Sequence, residues 1–109
     1  MRESSLYNTL RLEAVKYGCI LFRNNSGCLQ DQRGEYVRYG VASPGGADLI
    51  GWTRRHGVAV FTAVEVKVGI RKATAAQQAF LAAVLAAGGI AGVVRSVEDL
   101  RALLEERLP

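Results

Sequence analysis

The sequence predicts an α/β domain in which a mixed sheet is flanked by helices. Three features carry that reading: an opening segment at helical spacing, a run of short β-type segments broken by Asn, Ser and Gly, and a closing half alternating strand and helix. The 109 residues are 50% hydrophobic and 22% charged. That is one domain able to bury about two-thirds of its unfolded surface, and it is too apolar for disorder. The longest weakly polar stretch, Ala79 to Val94, is interrupted by Gly88 and Gly89 and falls short of a bilayer span, so no membrane helix is expected. Arg2 and Glu3, with no apolar core before Tyr7, argue against a secretory signal.

Ser4 or Ser5 is suited to cap a first helix, Leu6 to Tyr17, in which Leu6, Leu10, Ala14 and Tyr17 form a stripe and Gly18 is the stop. Glu13 lies beside that stripe. Strands are expected at Cys19 to Arg23, Cys28 to Gln32 and Tyr36 to Tyr39, with Asn-Ser-Gly and Arg-Gly turns between them. A glycine-rich passage, Gly40 to Gly46, leads into a strand from Ala47 to Trp52. The turn Arg54-Arg55-His56-Gly57 then opens the longest strand, Val58 to Val68. Thr74 caps a helix over Ala75 to Ala87, which ends at Gly88-Gly89. Ile90 to Arg95 is a short apolar strand, and Ser96 with Asp99 starts a last helix, Val97 to Arg107. Strand, helix and strand from Val58 to Arg95 make a crossover unit with parallel strands.

The formal charge is +4 and the sequence pI is about 9.4. The excess is concentrated between Leu21 and Lys72, where eight basic residues face four acids, Asp31, Glu35, Asp48 and Glu65. Only three of the 14 basic residues, Lys16, Lys67 and Lys72, are lysine. Arginine forks match phosphate geometry, so a polyanionic partner is plausible. Cys19 and Cys28, the two cysteines, fit neither a zinc motif nor a disulfide framework, and a reducing cytoplasm is the expected compartment.

Chemistry concentrates in the longest strand. Alternation puts Glu65 and Lys67 on one face and Val64 and Val66 on the other, toward the core. Burying an acid and an ammonium in an apolar strand is costly unless they are paired. An exposed Glu-Lys pair on an edge strand is the ordinary alternative. Asp48 shifts the balance. It follows Gly45-Gly46, where the backbone can approach a ligand closely, and a hairpin centred on Arg55-His56-Gly57 brings it nearly opposite Glu65. Adjacent carboxylates repel and raise a pKa unless a cation joins them. Mg²⁺ suits that role because it takes carboxylate, carbonyl and water oxygens, and the carbonyl of Val66 is a third oxygen within reach.

In order, Glu13, Gly46-Ala-Asp48, Glu65-Val-Lys67 and Gln77 resemble the motifs of the PD-(D/E)xK nucleases. Arg23-Asn-Asn-Ser-Gly27, Gly46-Ala-Asp-Leu-Ile-Gly51, Thr74-Ala-Ala-Gln77 and Gly88-Gly-Ile-Ala-Gly-Val-Val-Arg-Ser96 narrow the resemblance to the VRR-Nuc, or virus-type replication-repair nuclease, family. Two positions depart from the family pattern: Ala47 stands where proline is frequent, and Thr74-Ala75-Ala76 replaces Ser/Thr-Pro-Glu. The resemblance implies a restriction-endonuclease-like α-β-β-β-α-β core. It implies that Asp48, Glu65, Lys67 and Gln77 form the catalytic group. Glu13 (through water), Asp48, Glu65 and the Val66 carbonyl would hold Mg²⁺, with Mn²⁺ as a substitute. It also implies a structure-selective endonuclease that leaves a 5′-phosphate, acts on branched DNA such as four-way junctions, works as a homodimer, and operates in a bacterial or phage-infected cell. The alternatives are a less selective flap or duplex nuclease or nickase, and an inactive DNA-binding module.

Arg23, Asn25, Arg38, Arg71 and Lys72 lie near the expected site loops and are the expected DNA contacts. Asn24 and Asn25 read on their own as turn formers, and the resemblance adds DNA contact as the other role. His56, the one histidine, has no partner at ligand spacing and reads as structural or phosphate-touching. Tyr7, Tyr17, Phe22, Phe61 and Phe80 fit apolar phases and are expected in the core. Trp52, Tyr36 and Tyr39 are suited to base stacking, although aromatics at 7% are too scattered to mark a stacking platform. The alanine-rich helix is expected to pack on the sheet in preference to forming a dimer face.

Overall fold

The computed structural model describes residues 3–105, with side chains from Ser5 onward. Nine elements follow in order: α1 Glu3–Val15, β1 Cys19–Arg23, β2 Gly27–Gln30, β3 Tyr36–Tyr39, β4 Leu49–Arg55, β5 Val58–Val66, α2 Ala75–Ala86, β6 Ile90–Val94 and α3 Val97–Leu104. α1 starts before Ser4 and Ser5, so neither serine caps it. α3 ends at Leu104, with Glu105 already extended; the rest of the expected helix, to Arg107, lies outside the described residues.

The main sheet has the order β1-β4-β5-β6, antiparallel except for the parallel pair β5-β6. β2 and β3 form a separate antiparallel ribbon. β4 and β5 join through His56 and Gly57, whose φ values of 52° and 76° give the doubly left-handed turn suited to a two-residue hairpin. That turn fixes the register, with Leu49 facing Val64 and Trp52 facing Phe61.

Helices cover both faces, as alternation requires. α1 and α3 pack on one face through Leu10, Leu100 and Leu104 against Leu49, Val64, Val66 and Val94. Each fully buried leucine contributes roughly 1.5–3 kcal/mol by leaving water. α2 lies on the other face, where Leu81 and Val84 meet Ala63 and Ala91, small residues that let the helix sit close. The alanine-rich helix therefore packs into the core as expected.

α2 is too narrow to cover its whole face. Across β1 and β4 the same face carries Phe22 and Trp52, with Phe61 beside them on β5, and they are 47%, 42% and 44% exposed. Phe22 and Phe61 are thus not core residues. Alternation gave them the right face, but no helix reaches that half of it. Among the described residues no helix is long and apolar enough to cross a membrane.

Candidate active site

Asp48 is held in place by its neighbours before any ligand is considered. Asn24 donates its Nδ2 to the carbonyls of Val41 (2.9 Å) and Ala47 (3.0 Å), and its Oδ1 accepts from Val41 N–H (2.9 Å). Its own backbone N–H donates to Asp48 O at 2.8 Å. One amide side chain thus ties the glycine-rich loop to the end of β1. A Cβ on Gly46 would lie 2.0 Å from the Val41 carbonyl oxygen, and one on Gly45 would lie 2.9 Å from Ala76. Those glycines admit close approach by the protein's own backbone, not by a ligand as their sequence suggested. Asn24 is the positioning residue that sequence reasoning undervalued. Its short amide, able to mimic a peptide group, was the available signal.

The β4-β5 register continues past Leu49 and Val64 to set Asp48 against Glu65. Asp48 Oδ2 accepts the Val66 N–H at 2.8 Å. In a strand a residue's C=O points the same way as its N–H, so the Val66 carbonyl is directed to the Asp48 side as well. Glu65 is 1% exposed and Lys67 8%, which removes the reading of a solvated pair on an edge strand. Glu65 Oε1 accepts from Gln77 Nε2 at 3.0 Å and lies 3.6 Å from Lys67 Nζ. Gln77 is fixed in turn by a capping box: Thr74 Oγ1 accepts from Gln77 N–H, and Gln77 Oε1 accepts from Thr74 N–H.

Glu65 Oε2 is buried and has no hydrogen-bond partner among the described residues. Burial first, and then the adjacent Asp48 carboxylate, pushes the Glu65 pKa up to about 8 against the pull of Lys67. Two crowded carboxylates and an orphaned oxygen beside a carbonyl fit a hard divalent cation, which would supply the missing partner and remove the repulsion. Asp48, Glu65 and the Val66 carbonyl are the residues able to hold it.

The structure does not bring Glu13 to this group. Glu13 Oε1 accepts from Arg101 Nε at 2.9 Å, and Oε2 lies 3.0 Å from Lys16 Nζ. The reason is topological. α1 turns into β1 through Gly18, whose carbonyl accepts from Arg54 N–H, so the C-terminal end of α1 lies toward the end of β4 remote from Asp48. Among the described residues no three His, Cys, Asp or Glu side chains cluster to hold a metal ion. The expected water-mediated role of Glu13 therefore has no geometric support.

The expected DNA contacts divide into three places. Arg23 ends β1 with its guanidinium 4.4 Å above the Tyr7 ring, and Asn25 is exposed on the next loop. Arg38 is exposed on β3 of the ribbon. Arg71 and Lys72 are exposed on the loop from β5 to α2, within ten residues of Glu65 in the chain. His56 is exposed in the hairpin turn at the far end of β4 and β5 from the carboxylates, so it takes no part in their chemistry.

A family model described as the VRR-NUC domain matches residues 11–98, most of the chain and all of the carboxylate group. No curated protein and no solved structure gives a significant match. The mixed sheet flanked by helices is compatible with a restriction-endonuclease-like core, and DNA is the substrate that a nuclease domain implies. The chain belongs to the VRR-NUC family of nuclease domains.

Proposed function

We propose that this protein is a Mg²⁺-dependent, structure-selective DNA endonuclease that cuts branched DNA, four-way junctions included, as a homodimer in the cytoplasm of a bacterial or phage-infected cell. The observation that carries the reading is the buried, partnerless Oε2 of Glu65 beside Asp48. A fold keeps such an arrangement against its own stability when function needs it.

Asp48, Glu65 and the Val66 carbonyl hold the ion, and Mn²⁺ substitutes for it. When bound, the ion supplies Lewis-acid polarisation of a phosphodiester and offsets its charge. Lys67 keeps an ammonium at the edge of the carboxylates, where it orients the attacking water and stabilises negative charge growing on the phosphate. Gln77 holds Glu65 in one orientation through its 3.0 Å hydrogen bond. Arg23, Asn25, Arg38, Arg71 and Lys72 meet phosphates along the backbone and set the register of the DNA without reading its sequence.

Paired cuts across a junction need two active sites, and a homodimer supplies the second. Leu29 and Val37 face each other across the β2-β3 ribbon, and with Tyr39 they expose an apolar face. A two-stranded ribbon does not bury such a face by itself, which favours a second copy against it.

The test is cleavage of labelled junction, flap, splayed-arm and duplex DNA with Mg²⁺ by wild type, Asp48→Ala and Lys67→Ala. Wild type is expected to cut branched DNA, and each variant to lose at least about a thousandfold in rate while still binding. Equal cutting by Asp48→Ala overturns the site. Binding by wild type without cutting, in Mg²⁺ or Mn²⁺, makes the protein a binding module. A monomer in sedimentation at micromolar concentration removes paired cleavage.

A further inference from the structure

Half of the sheet face that bears the carboxylates has no helix over it, and that half is aromatic. Alternation and register place Asp48, Ile50 and Trp52 on one face together with Phe61, Ala63 and Glu65 of β5 and Ile20 and Phe22 of β1. α2 closes over Ala63 and Glu65. Beyond its edge the Phe22 and Trp52 rings lie 5.6 Å apart at an interplanar angle of 48°, and Phe61 stands opposite Trp52 across the ladder. A cavity of about 720 Å³ lies over the three rings, bordered also by Arg23, Asn25 and Val41.

We propose that this cavity receives an unpaired nucleobase of the strand being cut, stacked on Trp52, Phe61 and Phe22, and so directs the enzyme to DNA with unpaired bases beside the scissile phosphate. The inference rests on the reading of Asp48 and Glu65 as the cleavage site, and it names the feature of branched DNA which that site selects.

Three observations support a base as the occupant. The first is continuity with the carboxylates. Ile50 lies about 7 Å and Trp52 about 13 Å along the strand from Asp48, on the order of two to four nucleotides at a rise of about 3.4 Å. The second is charge. Arg54, two residues beyond Trp52 and on its face, is exposed at the end of the strip remote from the carboxylates. A cation beside an aromatic strip suits a phosphate next to a stacked base. The third is size. Three rings exposed to a little under half offer roughly 200–340 Å², well below the ~800 Å² per partner of a standard protein interface.

Trp52 is the only tryptophan, so its emission reports on the cavity directly. Wild-type protein in EDTA, where nothing is cut, is titrated with a short thymidine flap of about four nucleotides, the same flap made abasic, and a fully paired duplex. Saturable quenching by the thymidine flap, with little from the other two, is the expected result. Phe61→Ala and Phe61→Leu, the second keeping apolar bulk, should each weaken thymidine-flap binding by about tenfold or more. Equal quenching by all three DNAs overturns the proposal. So does Trp52 emission that shifts with protein concentration in the absence of DNA, since a second copy would then be the occupant. Cleavage is read separately. Base-dependent quenching by a protein that never cuts sinks the nuclease reading alone, and cutting without base-dependent quenching sinks the stacking cavity alone.

Discussion

Glu13 and Glu65 are both nearly sealed from solvent, at 9% and 1% exposure, yet the fold treats them in opposite ways. Each carboxylate oxygen of Glu13 has a cation of its own, Arg101 on one side and Lys16 on the other. The Arg101 hydrogen bond, then that of Lys16, holds its pKa below the usual carboxylate range. Glu65 has Gln77 at 3.0 Å and Lys67 at 3.6 Å on one oxygen and no donor on the other, and burial together with the contacting Asp48 carboxylate lifts its pKa to about 8. The first arrangement ties α1 to α3 and stabilises the chain. The second opposes folding when it must ionise, and becomes favourable when a proton or a cation completes it. An acid that satisfies itself belongs to the scaffold, and one left wanting belongs to the chemistry.

The two acids also bend stability in opposite directions with pH. For Glu13 the folded pKa is lowered, so its contribution is present above about 4.5 and is lost as pH falls below it. For Glu65 the folded pKa is raised, so the folded state holds a proton that the unfolded chain has released. Its contribution is present below 4.5 and is lost as pH rises toward about 8. Glu65→Gln should have the largest effect of any single change at this pair. It should abolish cleavage, raise the metal-free unfolding midpoint at pH 8 by about 5–10 °C, and flatten the fall in stability between pH 5 and 8. Mg²⁺ should raise the midpoint of wild type at pH 8 but not that of the variant. Thermal melts across pH, with and without the ion, check all three. A wild-type midpoint that does not fall over that range would break the contrast.

Gln77→Ala should have a smaller effect because it removes orientation and leaves both ligands in place. Gln77 Nε2 no longer steadies Glu65, and Thr74 N–H loses its acceptor, while Thr74 Oγ1 still accepts from the backbone N–H at position 77. A loss of about 0.5–1.5 kcal/mol in stability is expected from the hydrogen bond given up by Thr74 N–H, with a cleavage rate about tenfold lower at saturating Mg²⁺ and a weaker apparent affinity for the ion. Metal titrations of activity separate this from simple destabilisation, which would lower the rate without moving the affinity.

The difference between the two glutamates was only half legible in the sequence. Period-two alternation put Glu65 with Lys67 and apart from Val64 and Val66. The Arg55-His56-Gly57 turn brought Asp48 opposite, and the register bears this out. Helical spacing could say that Glu13 lies beside the Leu6-Leu10-Ala14 stripe, but not which end of α1 faces the site. That depends on the reversal at Gly18, and on Arg101, 88 residues away in the chain. Phe22 and Phe61 illustrate the same limit, since alternation names a face and only the width of α2 decides whether it is covered. Gly45 and Gly46 signalled close approach, but the approaching groups, the Val41 carbonyl and Ala76, come from loop closure that no local pattern encodes.

The smallest effect tests the scaffold side of the contrast. Glu13→Gln keeps the shape of the side chain and can still accept from Arg101, but it removes the charge that Arg101 and Lys16 share. Arg101 is itself half-open to water and Lys16 more so, so solvent screens much of what is lost. A drop of a few degrees in the unfolding midpoint at pH 7 is expected, shrinking as pH falls below 4.5, where the unfolded chain takes up a proton that folded Glu13 still resists. Cleavage should stay at the wild-type rate, and the Mg²⁺ dependence should not move. Were Glu13 a metal-directed acid after all, the opposite pattern would appear, with an unchanged midpoint and a shifted Mg²⁺ requirement. The same substitution in the Glu65→Gln background should add its small stability loss without interaction, because the two acids belong to separate networks on different elements.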